Sequence, residues 1–159
     1  MAEYTHENMR QTFADTSLEA ARTSVVAKVA LKAGRPGAAR LLKALSLADE
    51  AQARRLLALA RGKLGGLDDE LRELASHRAR EDALHLRQEQ AQAEGKPTEA
   101  ALFGQILQAG HSHAELLTDP DRTPQVLFVC QICGYLTHGE APENCPVCKA
   151  VRERFEKVE

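Results

Sequence analysis

A chain of 159 residues, 43% hydrophobic and 28% charged with a formal net charge of -2, can form one ordinary domain or a medium domain with a small one. The balanced charge, with no basic block, argues against nucleic acid or an anionic membrane as partner. Aromatic residues make up 4% and tryptophan is absent, which points to an aliphatic, helical core rather than a β-sandwich. No apolar run marks a signal peptide or a membrane span, so the cytoplasm is the expected compartment.

From about Met9 to Lys32, apolar residues at helical spacing (Phe13, Ala20, Val25, Ala27, Ala30) predict a first long helix. Ala33-Gly34-Arg35-Pro36-Gly37 interrupts it, and a second helix follows from about Ala38 to Arg61, with leucines along a broad face. Gly62, Gly65 and Gly66 end that helix. The third helix, from Asp68 or Asp69 to about Ala93, starts on carboxylates that suit a helix N-terminus and is the most polar of the set. Glu94-Gly95-Lys96-Pro97 breaks the chain again before a fourth helix from about Thr98 to Leu117. Two prolines in the stretch from Thr118 to Pro124 disfavour helix and mark it as a linker. From Gln125 the pattern changes to short strands and turns.

A repeat appears when the two glycine-proline breaks are superimposed. A shift of 61 residues places Gly34 on Gly95, Pro36 on Pro97, Leu41 on Leu102, Ala48 on Ala109 and Leu56 on Leu117. Two helical hairpins in the first 117 residues pack most simply as a four-helix bundle. On the second helix Leu45, Asp49, Gln52 and Leu56 share one face, and His113 occupies the position in the fourth helix that corresponds to Gln52. Polar groups on such a face form a small hydrogen-bond network, hold a ligand, or reach the surface through helix rotation. His111 and His113, two apart on a helix, point away from each other, which disfavours joint ligation.

All 4 cysteines lie in the last stretch as two C-x-x-C pairs, Cys130 with Cys133 and Cys145 with Cys148, separated by eleven residues. Cysteines three apart on a tight turn aim both sulfurs at one ion, and two such turns complete a tetrahedron. Gly134 permits the positive φ needed where the chain curls around the metal, and Pro146 stiffens the second turn. In a chain with no mark of export, this spacing reads as metal binding rather than as two disulfides. An all-sulfur site suits iron and zinc alike.

With these residues together, the chain resembles the rubrerythrins, in which a ferritin-like four-helix bundle precedes a small rubredoxin-like domain. The resemblance is carried by C-x-x-C-G-Y at Cys130–Tyr135, by A-P-E-x-C-P-x-C at Ala141–Cys148 and by Phe155, and in the bundle by the helix breaks and the repeat. It implies a bundle over residues 1–118, a linker over 119–125 and a rubredoxin-like metal domain over 126–159. It also implies a di-iron site built from glutamates and two Glu-x-x-His motifs. In this chain those positions fall on Thr16, on Asp49 and Gln52, near Ala79 and Asp82 with Glu81 as an alternative, and on Gly110 and His113. Most of the carboxylates are missing, so the expected function is one-electron transfer at a single iron held by Cys130, Cys133, Cys145 and Cys148. Phe128, Tyr135 and Phe155 would shield that iron. A zinc-ribbon-like structural or interaction module on a helical scaffold is the alternative. A peroxide reductase with a centre rearranged around Asp49, Asp82 and His113 ranks third. A redox partner protein and a homodimer are the partners the resemblance implies.

Overall fold

The structure, a computed structural model, describes residues 2–62, 65–78 and 81–159. The chain divides into two compact units, residues 1–64 and 65–159. It is mainly helical, with a small three-stranded, cysteine-rich sheet at its C-terminal end.

The first unit is a helical hairpin of α1 (Ala2–Lys32) and α2 (Pro36–Arg61). Helix α1 starts seven residues earlier than the sequence pattern predicts. Its first turns are polar and Tyr4 is 78% exposed, so no apolar stripe announces them. Where the two helices meet, small residues make the contact. Ala20, Ser46 and Ala53 are the buried residues, and the Ser46 hydroxyl donates to the Ala20 carbonyl at 2.8 Å, satisfying the buried oxygen. The contact face of α2 runs through Ser46 and Ala53 with Asp49 and Leu56 half-buried beside them, so the predicted face of Leu45, Asp49, Gln52 and Leu56 is met in half of its residues. Gln52 lies at the surface, and Leu45 is 45% exposed. Small side chains allow the backbones to approach, and that preference outweighs the leucine pattern.

The second unit begins with α3 (Leu67–Arg78), whose first turn carries Asp68, Asp69 and Glu70 and whose last turn carries His77 and Arg78, matching the helix dipole at both ends. Helix α4 (Glu81–Ala93) follows, so the predicted third helix is described as two segments on either side of residues 79 and 80. Both pack on α5 (Pro97–Leu117).

The repeat is visible in the turns. Gly34 and Gly95 sit at φ 70° and 71°, and Arg35 and Lys96 adopt φ/ψ of -111°/68° and -108°/73°. In each turn the glycine N–H bonds the carbonyl three residues back, Leu31 or Gln92. The next N–H bonds the carbonyl five residues back, Ala30 or Ala91, at 2.9 and 2.8 Å. These are Schellman caps, and the proline that follows opens the next helix without sacrificing a donor.

A single 3-10 turn, Pro120–Arg122, interrupts the predicted linker. Strands β1 (Leu127–Cys130), β2 (Leu136–His138) and β3 (Phe155–Val158) then form an antiparallel sheet in the order β2-β1-β3. Cys130 pairs with Phe155, and Phe128 lies between Thr137 and Lys157. The sheet thus fixes the start of the first cysteine turn, and β2 contacts α5 within the same unit. Among the described residues, no helix is long and apolar enough to cross a membrane.

Candidate metal centre

The two cysteine turns have nearly the same backbone. In the first, the Gly134 N–H bonds the Cys130 carbonyl and the Cys130 N–H bonds the Tyr135 carbonyl, both at 2.9 Å. In the second, the Lys149 N–H bonds the Cys145 carbonyl at 2.9 Å and the Cys145 N–H bonds the Ala150 carbonyl at 2.7 Å. Closing each turn requires positive φ at the residue after the second cysteine. Gly134 supplies it at 78°, as the sequence predicts, whereas the second turn uses Lys149 at 62°, the one non-glycine residue with positive φ among those described. Its ammonium donates to the Pro146 carbonyl at 3.0 Å. No sequence signal marks Lys149 for this role.

These turns bring Cys130, Cys133, Cys145 and Cys148 together, with all four sulfurs within 4.8 Å of one another. The Cys130–Cys148 and Cys133–Cys145 sulfurs are 3.6 Å apart. Metal–sulfur bonds of about 2.3 Å in a regular tetrahedron give edges of about 3.8 Å, so the spacing suits one ion. It rules out disulfides, whose sulfurs lie about 2.05 Å apart. Cys130 and Cys145 are buried, at 1% and 0% exposure, while Cys133 and Cys148 are half-buried. One edge of the tetrahedron therefore faces outward.

Burial pushes the Cys133 and Cys148 thiols up, against amide bonds from Tyr135 and Ala150 that favour their thiolates. Burial acts the same way on Cys130, but amide bonds from Cys133 and Ile132, followed by its sulfur neighbours, outweigh it and hold the thiol below its usual value. Four crowded sulfurs that cannot all ionise together, yet are provided with amide donors, form a donor set suited to a cation. Phe128, Tyr135 and Phe155 are each half-buried around this module. Among the described residues, no other group of His, Cys, Asp and Glu within either unit converges in this way.

The helical candidates have other surroundings. Thr16 donates its hydroxyl to the Thr12 carbonyl of its own helix at 2.6 Å. Asp49 is half-buried and Asp82 exposed. Ala79 lies outside the described residues, as does the side chain of Glu81. Gly110 is buried, and a Cβ built on it would meet the Arg78 carbonyl oxygen at 2.7 Å. This glycine serves the approach of α3 to α5. A glycine inside a strong helix is the sequence signal for such an approach.

His113 uses both of its nitrogens. The Arg78 guanidinium lies 3.1 Å from Nδ1, and the Gly134 carbonyl oxygen lies 2.7 Å from Nε2. A guanidinium can only donate, so Nδ1 accepts and Nε2 carries the proton given to Gly134. Its neighbour Ser112 accepts the Leu136 N–H at 3.3 Å and donates to the Ala109 carbonyl at 2.7 Å. Nothing in the sequence marks Arg78 and Ser112 for these roles, because they depend on which helix end meets the cysteine turn.

The family model for the rubrerythrin rubredoxin-like domain matches residues 128–156. Reverse rubrerythrin-1 of Clostridium acetobutylicum is 53% identical over 32 residues, a match that covers 20% of this chain and 18% of that protein. Structures of nigerythrin in the fully reduced, all-ferrous state and in a mixed-valence state are 26% identical. Each match covers 97% of this chain and 86% of the other, with TM-scores of 0.54 and 0.53. A cysteine module matched by its own family model, at the end of a helical chain similar in fold to nigerythrin over almost its whole length, is what this protein shares with the rubrerythrins.

Proposed function

We propose that this chain is a rubrerythrin-like electron-transfer protein that holds one iron at Cys130, Cys133, Cys145 and Cys148 and carries no di-iron centre. The observation that supports it most is the preformed cluster of four sulfurs, spaced for one ion. When bound, the iron supplies one-electron exchange between its ferric and ferrous states. The chain does the rest. The two turns hold the sulfurs in one geometry, so little rearrangement accompanies the exchange. The amide N–H groups stabilise the added charge, and burial of Cys130 and Cys145 keeps water from that side. The half-buried Cys133 and Cys148 give a redox partner protein its nearest approach.

Three observations favour the loss of the di-iron centre. Gly110 has no room for a carboxylate, His113 has both nitrogens engaged, and Thr16 bonds its own helix. In this reading residues 1–118 are a ferritin-like scaffold, 119–125 a linker and 126–159 the redox module, and the chain works as a homodimer. Metal analysis joined to a visible spectrum tests the proposal, on protein from iron-replete cells and again after reconstitution. One iron per chain and a red colour that bleaches on reduction are expected. A colourless protein that keeps one zinc through iron reconstitution would sink electron transfer and leave a structural module. More than one iron per chain with peroxide turnover would restore a helical metal centre.

A further inference from the structure

The Gly134–Tyr135 peptide group has two partners, one on each side. Its carbonyl oxygen accepts the Nε2 proton of His113 at 2.7 Å, and its N–H, which belongs to Tyr135, is the backbone donor that favours the Cys133 thiolate. Behind His113 the Arg78 guanidinium donates to Nδ1 at 3.1 Å. Three donors therefore point the same way, from guanidinium to imidazole to peptide to sulfur. Each bond polarises the next, and the effect is largest where little water screens it. His113 is half-buried beside Leu74, Leu116, Leu117, Leu127 and Leu136, so its bond to Gly134 is the more shielded of the two, whereas Arg78 is exposed.

We propose that His113 is a positioning residue for the metal centre, acting through the Gly134–Tyr135 peptide to strengthen the hydrogen bond to the Cys133 sulfur and so raise the reduction potential of an iron bound there. The direction follows from charge. Four thiolates with ferric iron carry a net charge of -1, and one electron taken from an electrode or a reductant makes it -2. A stronger donor at Cys133 stabilises the more negative state. The second turn provides the internal comparison, because its Ala150 amide bonds Cys148 and none of the three linked donors leads to it. The rise in potential rests on iron occupying the site, whereas the hydrogen-bond chain itself does not.

Full-length protein and the variants His113→Ala, His113→Gln, Arg78→Gln and Ser112→Ala serve as the test. With iron reconstituted, His113→Ala lowers the potential, Arg78→Gln lowers it less, and His113→Gln, which keeps an N–H donor, recovers part of the loss. Ser112→Ala removes the neighbouring tether to Leu136 without touching this peptide and leaves the potential unchanged. With zinc in place of iron, the Tyr135 amide proton moves upfield in His113→Ala while the Ala150 amide stays where it is. An unchanged potential in well-folded His113→Ala, or an equal fall in Ser112→Ala, overturns the tuning. An unmoved Tyr135 amide in the zinc form overturns the hydrogen-bond chain even if the protein takes up no iron.

Discussion

The two cysteine turns reach the same sulfur geometry by different means. The first joins β1 to β2, uses glycine at its left-handed position and is bonded from outside by His113 of α5. The second places Lys149 in the same conformation and closes on itself through the Lys149 ammonium and the Pro146 carbonyl. A ligand turn therefore needs the backbone shape, and glycine is one way of obtaining it. What surrounds the shape decides whether the turn is tied to the rest of its unit.

The largest effect should treat the two turns alike. Replacing Cys130 or Cys145, both buried, with serine removes one of four ligands and is expected to abolish tight metal binding. Metal of this kind contributes about 10–16 kcal/mol of apparent binding energy to small modules, so chelation should unfold the sheet as well. Loss of amide protection over residues 127–158, with α1 and α2 still protected, is the result that checks it. A difference between the two serine variants would mean that one turn binds metal by itself.

Gly110→Ala comes next and acts on the first turn alone. Its new methyl meets the Arg78 carbonyl, so α3 or α5 must shift, at a cost of about 1–3 kcal/mol in urea unfolding. The shift should also disturb the contact between Arg78 and His113. Gly134→Ala is smaller and has a single cause. Nothing lies within 4 Å of the added Cβ, and only the positive φ opposes it, by about 1–2 kcal/mol.

How much of this is legible in the sequence depends on how local each feature is. The cysteine turns and both Schellman caps show in the residue order because each is complete within a few residues, as at Gly34, Gly95 and Gly134, and the repeat shows because it superimposes the two caps. The polar start of α1 does not show, because a helix exposed on every side has no stripe. The contact face of α2 shows only in part, since leucines dominate the pattern while Ser46 and Ala53 make the contact. In the sequence Gly110 marks only a missing ligand, because its packing role depends on where the end of α3 lies.

The smallest effect separates the turns most finely. Lys149→Gly relieves a left-handed lysine, and the lost bond to Pro146 together with the greater freedom of glycine offsets much of that gain. A net stabilisation below about 1 kcal/mol is expected in thermal unfolding of the metal-loaded protein. A clear destabilisation would show that the lysine side chain, rather than the backbone, holds the second turn.

In the proposed function, four sulfurs hold a single one-electron centre. Coulometric titration of the iron-reconstituted full chain tests it most directly. Uptake of one electron per chain at one midpoint, with the visible absorption bleaching in step, is the predicted result. Uptake of no electron, or of two or more at separate midpoints, would contradict it.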